Sequence, residues 1–226
     1  AVEADGTIAI GAAATYAQIL RSRIVRAELP CLAAAAREVG ALQIQARGTL
    51  GGNLVTSSPV GDTLPVLLAL DAEIELASAD GTRRVPYGEF VTGYRTTALG
   101  PDELVVAVRF PPRPAGARQH WRKMGTRRAQ SISKVMLAAC AAVDGGVIRH
   151  IRIALGAVAD RPVRARAAEA AALGSAPGRD TAARVREAIA GEIRPIDDVR
   201  STAAYRLAAA QNAAARFVEG LAPGQS

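Results

Sequence analysis

Between Arg47 and Leu54 the chain reads Arg-Gly-Thr-Leu-Gly-Gly-Asn-Leu, the stretch best equipped to hold a ligand. Gly48, Gly51 and Gly52 leave the main chain bare, so an anion or a flat ring can approach it closely. Successive N–H groups in such a turn can cradle a pyrophosphate. Thr49, Asn53 and Thr56 add side-chain donors and acceptors, and Asp62 is placed to bind a sugar hydroxyl. The same residues equally describe a glycine-rich surface turn in which Asn53 and Asp62 cap the chain locally, and on the glycines alone that is the commoner case. The spacing matches neither a Walker loop nor a Rossmann fingerprint.

Other reactive side chains are sparse. His120 and His150 have no metal-ligand spacing and read as surface histidines. Cys31 and Cys140 lie far apart among Ala and Leu, as small buried apolar groups do. Two cysteines cannot supply an iron–sulfur cluster that needs four, so any such cluster lies on another chain. Lys123 sits between Arg122 and Met124 and on its own reads as a solvated charge on a strand.

Charge and composition narrow the function classes. Twenty-eight Lys and Arg against 21 Asp and Glu give a net charge of +7, which suits an anionic cofactor, an acidic partner subunit or nucleic acid. An aromatic platform, zinc spacing and a lysine-rich tail are all missing, which argues against nucleic acid. With 50% apolar and 22% charged residues the composition is that of a globular protein. No apolar run reaches the length of a membrane span, and Ala1 to Thr7 is no signal peptide, so the expectation is a cytoplasmic protein. The chain opens on Ala rather than Met and is read as a fragment or a processed form.

The elements that must position these residues follow from periodicity. Thr7 to Ile10 predicts a short strand, Thr15 with Gln18 a capping box, and Pro30 to Val39 a helix stopped by Gly40. Gln43 to Ser58 is too rich in glycine and polar residues for a regular helix and is expected to be an irregular loop. Asp62 and Thr63 cap an expected buried helix from Leu64 to Leu70. Strands are expected over Ala72 to Ala77, Arg83 to Pro86, Glu103 to Phe110 and His120 to Gly125. Ile132 to Ala142 suits a buried strand or a helix, and Gly145-Gly146 turns into a strand over Val147 to Leu155. Three Ala-rich helices follow, at Ala165 to Leu173, Ala182 to Ala190 and Thr202 to Phe217, with Tyr205 and Arg206 packing the last.

Four segments in register resemble one family. "ARGTLGGNLVTSSPVGDTLPVLLALDAEIEL", "GYRTTALGPDELVVAVRFP", "WRKMGTRRAQSISKV" and "DDVRSTAAYR" resemble the FAD subunit of the xanthine dehydrogenase and carbon monoxide dehydrogenase family of molybdenum hydroxylases. The resemblance implies that Thr49, Leu50, Gly51, Gly52 and Asn53 hold the cofactor phosphates, with Thr56 beside them and Asp62 a polar FAD contact. It implies that Leu104 and Val105 pack near the flavin, that Lys123 lies near the isoalloxazine, and that Val39 is a further contact. Arg127 and Arg128 are expected to meet a partner subunit or solvent, and Tyr94 and Arg95 to be structural. Family subunits also carry an N-terminal subdomain whose glycine-rich loop makes many pyrophosphate contacts, and the matching segments here begin after it. Its absence implies a loss of several kcal/mol of FAD affinity, at about 1.5–3 kcal/mol per charge-assisted hydrogen bond.

The expected fold is α+β: a mixed, mostly antiparallel sheet with flanking helices, then a small sheet with a helical-bundle C-terminal subdomain. The resemblance divides the chain into an FAD-binding domain at 1–112 and a C-terminal subdomain at 118–220. It implies an electron-transfer flavoprotein that passes electrons from iron–sulfur clusters on a small subunit to an acceptor such as NAD. The molybdenum cofactor belongs to a large subunit. The competing expectation is an FAD-free scaffold subunit of such a complex.

Overall fold

The computed structural model describes residues 1–127 and 130–222. A short strand, β1 (Ile8–Gly11), leads into helices α1 (Tyr16–Arg21), α2 (Arg23–Glu28), α3 (Pro30–Arg37), α4 (Leu42–Arg47), α5 (Leu50–Thr56) and α6 (Leu64–Ala69). Then come β2 (Glu73–Ser78), β3 (Gly81–Pro86), α7 (Tyr87–Phe90), β4 (Val91–Gly93), β5 (Thr96–Thr97) and β6 (Leu104–Phe110). The remainder is β7 (Arg118–Met124), β8 (Val135–Asp144), β9 (Val147–Gly156), β10 (Val163–Arg164), α8 (Arg166–Ala172), α9 (Arg179–Glu192) and α10 (Ala203–Glu219).

Two four-stranded sheets carry the molecule, in the orders β1-β6-β2-β3 and β10-β9-β8-β7, with a small β4-β5 ribbon beside them. The α+β expectation holds, and every pairing between these strands is antiparallel. α6 joins the two halves. All six of its residues are buried, and it packs on β8 and β9. Gly156 makes this approach possible, because a Cβ there would stand 2.7 Å from Pro65 Cγ and 2.5 Å from Met136 Cε.

The second sheet is covered on both faces. Ala138 and Ala154 join the first core, whereas Leu137, Ala139, Ile153 and Leu155 face α8, α9 and α10. Burial on both sides explains why β8 has no alternation from Val135 to Ala142 and why its periodicity decides nothing. Small residues dominate it, which lets helices approach closely. Cys31 and Cys140 are buried free thiols, and Cys31 Sγ donates to the His120 carbonyl at 3.1 Å.

The stretch expected as a loop from Gln43 to Ser58 is instead two helical segments, α4 and α5. Propensity yields to tertiary contact here, since the glycines serve close packing rather than irregularity. Thr15 makes the expected capping box, donating its N–H to Gln18 Oε1 at 2.8 Å. Tyr205 is 47% exposed and lies under the Lys134 ammonium, so it packs the last helix less than expected. Tyr94 is also exposed, with the Arg95 guanidinium over its ring. Arg127 donates to the Gln130 carbonyl, and Arg128 lies outside the described residues.

Candidate functional site

Thr49 caps α5 by accepting the Gly52 N–H at 3.0 Å. Ahead of it, the Leu50 N–H donates to the Ala14 carbonyl at 3.1 Å and the Gly51 N–H to the Ala12 carbonyl at 2.9 Å. The N–H groups expected to form a phosphate cradle at Leu50, Gly51 and Gly52 are therefore spent within the fold. Gly51 is glycine because a Cβ would meet Ala12 Cβ at 2.7 Å and its carbonyl oxygen at 2.9 Å. Gly52 is exposed, with only its own Thr49 cap near a Cβ, and presents bare main chain to solvent.

These two glycines give a direct test. Gly51→Ala forces the turn after β1 away from α5 and is expected to cost about 1–3 kcal/mol, as overpacking does. Gly52→Ala disturbs only the cap, at about 1 kcal/mol or less. Urea denaturation of both variants checks the order, and equal losses would show that α5 does not rest on Ala12.

Asn53 does not cap locally. Its Oδ1 accepts from Thr63 Oγ1 at 2.8 Å, across the turn leading to α6. Thr63 is fully buried, and the nearby Tyr16 hydroxyl is buried without a hydrogen-bond partner. Burial pushes that phenol up to about 12. Thr56 donates to the Gly52 carbonyl at 2.7 Å and remains exposed.

A buried ion pair is built on the turn between α5 and α6. Lys123 Nζ on β7 meets Asp62 Oδ2 at 2.9 Å, with the two side chains only 7% and 11% exposed. Ser133 donates to the other carboxylate oxygen at 2.8 Å, and Nζ also reaches the Glu38 carbonyl at 3.4 Å, next to Val39. The Trp121 indole donates to the Asp62 carbonyl at 3.3 Å. Burial raises the Asp62 carboxyl above its usual range, while Lys123 and Ser133 pull it back. Neither the solvated-charge reading of Lys123 nor the capping reading of Asp62 survives this geometry.

The remaining expected positions lie on β6. Leu104 is 74% exposed, whereas Val105 packs against the first core. The Ala12 N–H donates to the Val106 carbonyl at 2.8 Å, which ties β6 to the same turn that carries α5. The sequence reading missed Ser133 and Glu38. Ser133 is 71 residues from Asp62, and no local pattern marks it.

Comparisons with known proteins agree on one family. Residues 1–113 match the FAD binding domain in molybdopterin dehydrogenase, and residues 120–221 match the CO dehydrogenase flavoprotein C-terminal domain. The chain is 33% identical over 205 residues to the xanthine dehydrogenase FAD-binding subunit of Escherichia coli O157:H7, covering 90% of this chain and 70% of that one. It is 31% identical over 211 residues to the carbon monoxide dehydrogenase medium chain of Hydrogenophaga pseudoflava, covering 92% of this chain and 72% of the relative. The structure of the Hydrogenophaga pseudoflava enzyme lacking the Mo-pyranopterin moiety superposes with a TM-score of 0.90 at 34% identity, over 95% of this chain and 74% of that one. Quinoline 2-oxidoreductase from Pseudomonas putida 86 superposes with a TM-score of 0.89 at 29% identity, over 99% of this chain and 77% of that one. The chain belongs to the FAD-binding medium subunits of the molybdopterin dehydrogenases.

The residues present fit that cofactor in part. Exposed Gly52 beside the Thr49 and Asn53 side chains offers an open polar surface, and Lys123 adds a cation held by the fold. The N–H groups of Leu50, Gly51 and Gly52 are occupied within the fold and contribute no donors, so Gly52 offers close approach alone. Among the described residues no cluster of His, Cys, Asp or Glu could hold a metal ion, and no helix is long and apolar enough to cross a membrane.

Proposed function

We propose that the chain is the FAD-carrying electron-transfer subunit of a cytoplasmic molybdenum-containing dehydrogenase. The observation that carries this reading is the Asp62–Lys123–Ser133 network, which fixes a buried cation beside the α5 turn. Bound FAD supplies the redox chemistry, between iron–sulfur clusters on a small partner subunit and an acceptor such as NAD. The chain's own residues bind, orient and exclude water. Thr49, Gly52 and Asn53 would face the phosphates, with Thr56 beside them. Leu50 and Gly51 would act through the shape of the turn, as their N–H groups are engaged elsewhere. Lys123 and Asp62 would sit nearer the ring, flanked by Val39, with Leu104 and Val105 along β6.

A positive charge near the ring favours a reduced flavin's negative charge, and holding Lys123 by Asp62 sets where that charge lies. Residues 1–112 would form the FAD-binding domain and 118–220 the C-terminal subdomain, with a molybdenum-cofactor large subunit as a further partner.

The test is the absorbance spectrum of the purified chain before and after incubation with FAD and removal of the excess. A retained flavin band bleached by dithionite is the expected result. Protein that stays colourless would overturn flavin binding by this chain alone and favour the scaffold reading.

A further inference from the structure

β7 has two unlike faces. Gln119, Trp121 and Lys123 turn toward α3 and the Asp62 site, whereas Arg118, His120 and Arg122 turn outward and are exposed. On this outward side β7 and the last turns of α10 enclose a groove of about 520 Å³. Its floor is Phe217 and Leu221, with the His120 ring stacked on Phe217 at 5.7 Å between centroids. Arg118, Arg122 and Arg216 line it, and no carboxylate among the described residues does. None of these arginines forms a salt bridge among the described residues, and Arg118 donates only to the Gly220 carbonyl. Other arginines, such as Arg83, Arg109, Arg164 and Arg206, each meet an acidic side chain, whereas these three converge on one groove without one.

We propose that this groove is a docking site for an acidic polypeptide segment of a partner chain, lying along β7 with its carboxylates on Arg118, Arg122 and Arg216. Charge complementarity selects the class of partner, since three unneutralised guanidinium groups over an apolar floor await anionic groups joined by an apolar body. Spacing selects a polypeptide over a small dicarboxylate. Arg118 and Arg122 are four residues apart on one strand face, about 13 Å at the usual rise of about 3.3 Å per residue. An extended chain with acidic residues at the same period matches that span, and a small ligand does not. The field of the two arginines is felt at His120, whose imidazole is held below its ordinary value by burial and then by Arg122 and Arg118. The flavin reading is not needed for this inference, because the groove lies on the opposite face of β7 from Lys123.

The probe is a fluorescein-labelled peptide of alternating Glu and Thr, titrated against the full chain by anisotropy at low salt. The expected result is saturable binding that weakens about tenfold or more in Arg122→Gln/Arg216→Gln. Binding should stay unchanged in Arg149→Gln/Arg179→Gln, which removes two exposed arginines elsewhere. The peptide should also raise the pKa of the His120 imidazole, followed by NMR, and leave His150 in place. A carboxylate brought beside His120 favours its charged form, whereas a nonspecific electrostatic film would move both rings. Equal binding of the Gln-for-Glu peptide, or equal weakening in both double variants, would overturn the proposal. So would competition by citrate as effective as unlabelled peptide, which would make the groove a small-anion site.

Discussion

Lys123→Met lowers the stability of the chain by about 3–5 kcal/mol at neutral pH, the usual range for removing one partner of a buried ion pair. Asp62 is left with the Ser133 hydroxyl as its side-chain donor in a site where both members of the pair are nearly inaccessible. The pH dependence has a defined sign. The Asp62 carboxyl is already raised by burial, and without Lys123 it rises further. A carboxyl raised in the folded state contributes stability below its unfolded value, and this is lost as pH climbs through the folded one. The penalty of Lys123→Met should therefore be smallest under mildly acidic conditions and grow toward neutral pH. Urea midpoints measured across that range check it. Asp62→Asn/Lys123→Met should recover much of the loss, because it removes the stranded charge. A loss below about 1 kcal/mol, flat with pH, would place the pair in solvent and remove the basis for a fixed cation beside the flavin.

Arg206→Leu is expected to cost about 2–4 kcal/mol, as two carbonyls lose a charged donor and one charge-assisted hydrogen bond is removed. Arg206 is 3% exposed and ties three segments together, donating to the Lys134 carbonyl at 2.6 Å, the Ala157 carbonyl at 3.0 Å and Asp198 Oδ1 at 2.7 Å. These contacts anchor the start of α10 to β8 and to the loop after β9; without Arg206 the two carbonyls lose this donor, while Asp198 keeps the Arg200 and Ser201 N–H groups. Arg206→Lys keeps the charge but not the fork and should fall between the two, at about 1–3 kcal/mol. Acid titration offers a second reading. Desolvation opposes ionisation of Asp198, but the Arg200 N–H, the Arg206 guanidinium and the Ser201 N–H outweigh it and hold the carboxyl at about 2. A depressed carboxyl contributes stability above its ordinary value and loses it as pH falls toward 2. Arg206→Leu should flatten that acid limb, which thermal melts in the acid range would record. An unchanged limb would mean that Arg206 does not act on Asp198.

The parts of this fold that were legible in the sequence are those set by neighbours along the chain. The alternation of β2 and β9 and the Val-rich run of β6 gave strands, Thr15 with Gln18 gave a cap, and the Ala-rich stretches gave α8 to α10. α2 was missed because Ser22 does two jobs, ending α1 and capping α2, so no gap separates them. The glycine segment was misread for the opposite reason. Gly51 answers a contact with Ala12, about forty residues earlier, which no local rule can weigh. The same holds for the candidate site. Thr49, Asn53, Asp62 and Lys123 were singled out by type and resemblance, but the pairing of Asp62 with Lys123 and Ser133 spans 61 and 71 residues. Burial turned two residues that read as a cap and a surface charge into a single charged unit.

The register of β1 has a consequence for how the protein is made. Ile8 pairs with Phe110, so the first sheet cannot close until roughly a hundred further residues have been synthesised, about 5–20 s at ordinary translation rates. Until then β1 and the apolar faces of the early helices wait without their sheet, open to chaperones and to mispairing. β7, β8 and β9 follow one another as a meander and can pair as soon as they emerge. The second sheet thus closes over a shorter stretch of chain than the first, and α6, already made, gives β8 and β9 a surface on which to settle.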